Sequence, residues 1–547
     1  MKWLDKIIYT GLWTQPVAMG IELKLLSLQD SVQITGQTLI SGLVLSFLPA
    51  LYIYSSNSIA RSGGKKKFGL LDAFDGKPEP YYSTKKQAAM YPEVPQQLIA
   101  GSRPSGIILG KYHGKYVCRP VEQDGHYLII GGSGSGKSSA LIIPTLLVND
   151  VPAFVLDIKG ELSRVAKKKG DAKVHIFNPN DRRSYGYNPF YNLKKESTEQ
   201  EILETMQMVT FSLISLSANV KDPFWKTSAR NMLCGLMIYH FKLGKNNLVD
   251  IMDAILGRSI KASIQEVMTG SDPTTAEYRY LVQFSDMADE TISGVYAEMA
   301  SNIIVFANDQ DIRYALKHNS LKCSPVDLEN GNSIYVVIRE DKLTAYNQVL
   351  QLIINQTLNA LEKRPEKSEP ILFLIDELPR ILSAGKIERL LDASRTLRSR
   401  NVRLTLVTQS VEALMTVYSE NEVVDLISNC NYKIILDASS QKTQHTISEW
   451  CGNYKEKKKI WNEAGTKQKT GISFEEKPIV EVSDLMTLAQ TGEAILVCPY
   501  GYFRIQKTPY YKDKILKKLA DEVAEYNKTV EELHECKKEE KKDVIIR

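Results

Sequence analysis

Short apolar runs alternate with longer stretches of helical spacing along most of the chain. Residues 151–156, 173–177, 333–338, 371–375, 403–407, 432–436 and 493–497 are short runs rich in apolar and β-branched side chains. Runs of this kind suit strands covered on both faces. Separated by helical stretches, they predict an α/β fold with a mainly parallel sheet. Between about 194 and 324 the strand pattern stops. Ile202, Met206, Val209, Leu213 and Leu216 recur at threes and fours, as do Met232, Leu233, Leu236 and Met237 before Gly244. That spacing predicts an all-α insertion in the sheet-bearing core; His240, within it, reads as an ordinary helix-face histidine.

Two later segments are less regular. Lysines at 455, 457–459, 467 and 469 read as a loop between core strands, either solvated or touching phosphates. Leu516, Leu519, Val523, Tyr526, Val530 and Leu533 follow heptad-like spacing, which predicts an amphipathic helix that docks or pairs. The tail 537–547 reads as frayed.

Near the amino terminus the pattern changes again. Residues 31–60 contain no charge, and 39–54 are strongly apolar, long enough for the roughly 20 residues of a spanning helix. Arg61 and Lys65 to Lys67 follow, so the charge rule places the remainder in the cytoplasm. A buried helix is the alternative. Residues 7–21 form a poorer uncharged stretch, read as a first span or an interfacial helix. A cleavable signal peptide is disfavoured, because no small-residue cleavage site follows a compact apolar core. The resulting division is a membrane anchor of one or two transmembrane helices at 1–67, a nucleotide-binding domain in two parts at 68–193 and 325–515, the insertion at 194–324, and a helix with a charged tail at 516–547.

The chain's 547 residues suffice for two or three domains, and 43% hydrophobic with 24% charged residues is ordinary globular usage. A net charge of +5 neither demands nor excludes nucleic acid. The seven cysteines are scattered without a C-x-x-C pair, so neither a zinc site nor a disulfide framework is indicated.

The candidate chemistry begins after an apolar run at 127–130. Gly131, Gly132, Ser133, Gly134, Ser135, Gly136, Lys137 and Ser138 fit G-x-x-x-x-G-K-[ST], with Ser139 opening a helical run. Glycines let successive N–H groups face a polyphosphate, and the helix start adds its positive dipole end. Lys137 would reach the β- and γ-phosphates of ATP, and the Ser138 hydroxyl would hold Mg²⁺. The alternative is a flexible Gly/Ser turn. Downstream, the apolar run 371–375 ends in Asp376 and Glu377. Asp376 is expected in the magnesium shell and Glu377 as the group that activates water. Together these elements predict an ATPase. Arg395, Arg398, Arg400 and Arg403 precede a strand closing on Gln409, which could sense the γ-phosphate, while one arginine could act as a finger on a neighbouring subunit's nucleotide.

Several separated signatures agree with one family. They are Gly106-Ile107-Ile108-Leu109-Gly110, the phosphate loop, Asp157-Ile158-Lys159-Gly160-Glu161, Asn188-Pro189-Phe190, Asp222-Pro223-Phe224-Trp225, Gly331 to Ile338, the Asp376-Glu377 strand, and Ser399 to Arg403 leading to Thr408-Gln409-Ser410. In this order the chain resembles the TraG/TraD-type coupling proteins of type IV secretion, the ATPases of bacterial conjugation. The resemblance implies a RecA-like P-loop ATPase core and a ring, a hexamer, that hydrolyses ATP at subunit interfaces. It also implies, as partners, single- or double-stranded DNA, a relaxase or relaxosome, the type IV secretion channel and the bacterial cell membrane. In that family a finger arginine precedes the motif glutamine by a fixed interval, and Arg398 is the best match, with Arg395 and Arg400 as competitors. A septal-type double-stranded DNA translocase and a docking receptor using ATP as an assembly switch are the competing readings.

Overall fold

Eleven strands of the computed structural model, which describes residues 92–527 apart from 102, 120–122, 167–172, 217–221, 384 and 463–468, form one sheet. In chain order the strands are β1 (Ile107–Tyr112), β2 (Lys115–Arg119), β3 (Tyr127–Ile130), β4 (Ala153–Asp157), β5 (Val174–Phe177), β6 (Gly186–Tyr187), β7 (Lys322–Cys323) and β8 (Ser333–Val337). They continue with β9 (Ile371–Ile375), β10 (Val402–Thr408), β11 (Tyr432–Ile435), β12 (Asn453–Asn462), β13 (Lys469–Pro478), β14 (Glu493–Cys498) and β15 (Gly501–Gln506). The large sheet runs β2-β1-β15-β14-β11-β3-β10-β9-β4-β8-β5. From β11 to β5 every pairing is parallel, whereas β14, β15, β1 and β2 extend the sheet antiparallel. The expected parallel sheet is therefore the centre of a larger mixed one.

Alternation within each parallel strand divides its side chains between two cores. Leu128, Ile130, Phe154, Leu156, Phe373 and Ile375 face one side, and Tyr127, Ile129, Val155, Leu372 and Leu374 the other. Both sets are buried, which is why these runs read as continuously apolar. On the first side the core continues without a break through helix Asn347–Glu362 into helices Glu199–Leu213 and Phe224–Lys242. A capping box starts the first of these: Thr198 accepts from the Glu201 N–H, and the Glu201 carboxylate accepts from the Thr198 N–H. Helices fill most of the stretch from 199 to 318, interrupted by turns, and β7 returns to pair with β6.

The lysine-rich segment differs from its expected loop. It forms an antiparallel ribbon, β12 with β13, paired from Asn453–Pro478 to Asn462–Lys469. A helix covers 514–527, where Leu516 and Val523 are buried and Tyr526 is exposed, while Val530 and Leu533 lie outside the described residues. So do the membrane-anchor segments within 1–67. Among the described residues no helix is long and apolar enough to cross a membrane. Six of the cysteines are buried as free thiols.

Arg403 differs from the other arginines of its cluster. It is 1% exposed and sits inside β10. Its guanidinium donates to the Gln123 carbonyl at 2.7 Å, the Arg398 carbonyl at 3.3 Å and the Asn401 Oδ1 at 2.5 Å. A buried charge is tolerated because its donors are satisfied. Arg403→Met should lower stability by about 2–4 kcal/mol, measured as a shift in urea midpoint, because it removes a fully buried guanidinium that satisfies several part-buried acceptors. A change below about 1 kcal/mol would show that water takes over those bonds.

Candidate functional site

Parallel register places the chemistry on one edge. Ile130 lies beside Thr408 and Ile435, and Leu406 beside Ile375. The phosphate loop, Gln409, Asp376 and Asp157 therefore all emerge at the carboxyl ends of neighbouring strands, where ligands of open parallel sheets bind.

The loop is tightly constrained. Gly134 and Gly136 have φ of 76° and 95°, the left-handed region that favours glycine. A Cβ on Gly131 would fall 2.5 Å from Ser135 Oγ and 3.2 Å from Leu436 Cβ, so this position admits no side chain without displacement. The Gly131 N–H donates to the Thr408 carbonyl at 3.1 Å, pinning the start of the loop to the end of β10. Helical backbone then runs from Lys137 through Val148, opening with a wide turn over Lys137–Ile142. Lys137, 5% exposed, donates to the carbonyls of Gly131 and Gly132, each at 2.8 Å. Burial lowers its ammonium, and the carboxylates of Glu377 and Asp376 oppose that fall. Ser138 and Ser139 are half-buried at the helix start, whereas Ser133 and Gly134 are exposed.

Asp376 is 3% exposed, and its Oδ1 is buried without a hydrogen-bond partner. Burial pushes its carboxyl up to about 7, and the neighbouring Glu377 charge adds to the rise. A buried, partnerless carboxylate oxygen at the edge where the phosphate loop opens is what a divalent cation shared with a nucleotide would use. No cluster of three or more His, Cys, Asp or Glu side chains able to hold a metal by themselves occurs among the described residues. A site of one carboxylate and one hydroxyl suits Mg²⁺, which keeps its remaining positions for phosphate and water.

Glu377 adopts φ 56° and ψ 45°, an uncommon conformation for a side-chain-bearing residue, and heads the short helix Leu378–Leu382. Its Oε2 accepts from Gln409 Nε2 at 3.1 Å and lies 3.8 Å from Arg380 Nε, and its Oε1 lies 3.5 Å from Lys159 Nζ. Burial alone would raise this carboxyl. The Gln409 hydrogen bond and the charges of Lys137, Lys159 and Arg380 outweigh burial and hold it below its ordinary range. Two adjacent carboxyls are thus driven apart, one toward the proton and one away from it.

The profile of the type IV secretory system conjugative DNA transfer family matches residues 84–534. The chain belongs to this family. Among curated relatives it is similar to protein VirD4 of Agrobacterium fabrum, 22% identical over 76% of this chain and 64% of the relative. It is likewise similar to the conjugal transfer protein TraG of Escherichia coli, 22% identical over 66% of this chain and 61% of the relative. The chain therefore spans less than two thirds of the length of these relatives. Its fold is similar to the conjugative coupling protein TrwBΔN70, with a TM-score of 0.59 at 15% identity, covering 80% of this chain and 95% of that one. TrwB solved with ADP and Mg²⁺ aligns at 0.57 and 16%, covering 76% and 91%.

The arginines stand apart from the rest of this family member's site. Arg395, Arg398 and Arg400 precede β10, whose seven residues carry the chain to Gln409, so about 23 Å of strand separates them from that edge. Arg395 is held by Asp425 through a 2.8 Å bond from Nε. Arg398 is half-exposed and only 3.6 Å from a half-exposed Asp124. Two further residues join the loop that sequence reading did not single out. Lys507 donates to the Ser135 and Leu436 carbonyls, each at 3.2 Å, and the Asp437 carboxylate borders Gly132. Lys507 arrives just after the antiparallel strand β15, so no linear spacing relates it to the loop.

Proposed function

We propose that the chain is the coupling ATPase of a conjugative type IV secretion system, anchored through its amino-terminal segment and hydrolysing ATP at ring interfaces. The observation behind this reading is the convergence, on one sheet edge, of the phosphate loop, a buried partnerless Asp376 oxygen, and a Glu377–Gln409 pair. The family match supports the transfer role, and the nucleotide complexes of TrwB support ATP and Mg²⁺ as ligands.

Residues 131–136 supply N–H groups to the polyphosphate, and Lys137 contributes its charge to the β- and γ-phosphates. Ser138 and Asp376 hold Mg²⁺, which when bound offsets charge developing on the phosphate oxygens. Glu377, ionised at neutral pH, accepts the proton of the attacking water. Gln409 orients Glu377 and ties its position to the state of the nucleotide. Arg398 reaches the nucleotide of the adjacent subunit.

Lys137→Ala should lower ATP turnover at least ~10²-fold, the scale of losing one charged clamp on the transferring group. Plasmid transfer in a mating assay should be lost, with thermal unfolding of the protein unchanged. Normal turnover in that variant would remove the loop from the mechanism.

A further inference from the structure

The antiparallel extension of the sheet sends Lys507 to the phosphate loop. β15 ends at Gln506, and the Lys507 N–H donates to the Gly492 carbonyl at 3.0 Å, which fixes its backbone beside the start of β14. In the sheet β14 lies between β15 and β11. The long stem of the lysine crosses that interval: its half-buried ammonium donates to the Leu436 carbonyl, just past β11, and to the Ser135 carbonyl within the loop, each at 3.2 Å. Burial lowers this ammonium, and the charge of Asp437 opposes the fall. Lys507 thus ties a loop carbonyl to the end of a core strand.

Peptide geometry shows which group this tie orients. A trans peptide is planar, with its C=O and N–H on opposite sides. The Ser135 carbonyl and the Gly136 N–H share one such unit, so holding the carbonyl toward β11 aims the N–H away from it. That N–H meets no acceptor among the described residues, and it immediately precedes the helical backbone that opens at Lys137. The loop's other bonds leave it unfixed. The Gly131 N–H to the Thr408 carbonyl holds only the first residue, and the Ser135 N–H to the Gly132 carbonyl, at 3.3 Å, closes a turn inside the loop. Glycines at 134 and 136, both with positive φ, flank Ser135 and make this stretch costly to order.

We propose that Lys507 is a positioning residue of the nucleotide site: by holding the Ser135 carbonyl it presents the Gly136 N–H to the polyphosphate. The proposal rests on the nucleotide-site reading above and gives Lys507 no contact with the nucleotide. A donor already aimed at its ligand spares the ordering cost that a glycine-rich loop otherwise incurs on binding. Loss of the tie therefore falls on affinity for phosphate groups.

The test uses the full-length chain. Lys507→Met should weaken Mg·ADP binding, measured by titration calorimetry, about tenfold, the scale of one hydrogen bond to a charged group. KM for ATP should rise by a similar factor while kcat changes less than about twofold, as for an interaction made alike in the ground and transition states. Lys507→Arg, which keeps a charged donor on a long stem, should recover most of the affinity. Inorganic tripolyphosphate, which lacks base and ribose, should lose affinity by the same factor as ADP. Tripolyphosphate bound normally while ADP is weakened would overturn the proposal, by placing Lys507 against the base or ribose. A fall in kcat with KM unchanged would overturn it by making Lys507 part of the chemistry, and so would wild-type ADP binding in Lys507→Met. Should Lys507→Met fail to fold, Lys507→Gln, a shorter neutral donor, carries the same comparison, with weaker ADP binding expected and wild-type binding contradicting it. An unaltered chain that binds ADP and hydrolyses no ATP would sink the ATPase reading alone, since the affinity comparison needs no turnover. One that binds neither ADP nor tripolyphosphate would sink both.

Discussion

Arg398→Ala is expected to reduce ATP turnover by roughly 10³- to 10⁵-fold with little change in ATP affinity, the effect of losing a finger that meets the transferring phosphoryl group. Three observations favour Arg398 over its neighbours. It is half-exposed, its contact with Asp124 at 3.6 Å joins two half-exposed groups and so holds it weakly, and Arg395 is already committed to Asp425. Arg398 lies at the amino end of β10, the end opposite Gln409, so in the proposed ring it would serve a neighbour's nucleotide and not that of its own chain. Mixing Arg398→Ala with Lys137→Ala subunits should then restore part of the activity, since each supplies what the other lacks. No rescue in demonstrably mixed assemblies would place Arg398 outside the composite site. Arg395→Ala and Arg400→Ala should be milder.

Glu377→Gln should retain ATP binding and lose about 10²- to 10⁴-fold in turnover, the range for removing a general base. The substitution keeps side-chain size and a hydrogen bond to Gln409 but removes the charge that Lys137, Lys159 and Arg380 stabilise. The variant should accumulate loaded with ATP and more strongly associated, read by nucleotide retention and sedimentation. Loss of ATP binding would make Glu377 a structural residue, its left-handed backbone then being the feature that matters.

The central strands were legible because their side chains are buried on both faces, so β4, β8, β9, β10 and β11 lie within a residue or two of the apolar runs at 151–156, 333–338, 371–375, 403–407 and 432–436. The edge was not. β1, β2 and β15 mix Lys111, Lys115 and Arg504 with apolar residues and give no continuous run. The β12–β13 ribbon is lysine-rich, and its pairing comes from the backbone, which hydropathy does not register. The same distinction applies to the site. Lys137, Asp376, Glu377 and Gln409 stand in short contiguous motifs at strand ends, and the register brings them to one edge. Lys507 and Asp437 reach the loop through sheet order alone. Arg403 stands in sequence beside other arginines, yet its donors are met by carbonyls only the fold supplies.

Steady-state phosphate release from Mg·ATP by the purified full-length chain tests the central claim most directly. The account predicts multiple turnovers that vanish in Lys137→Ala and persist only at trace level in Glu377→Gln. A chain that binds ATP tightly but releases no more phosphate than its Lys137→Ala variant would contradict it.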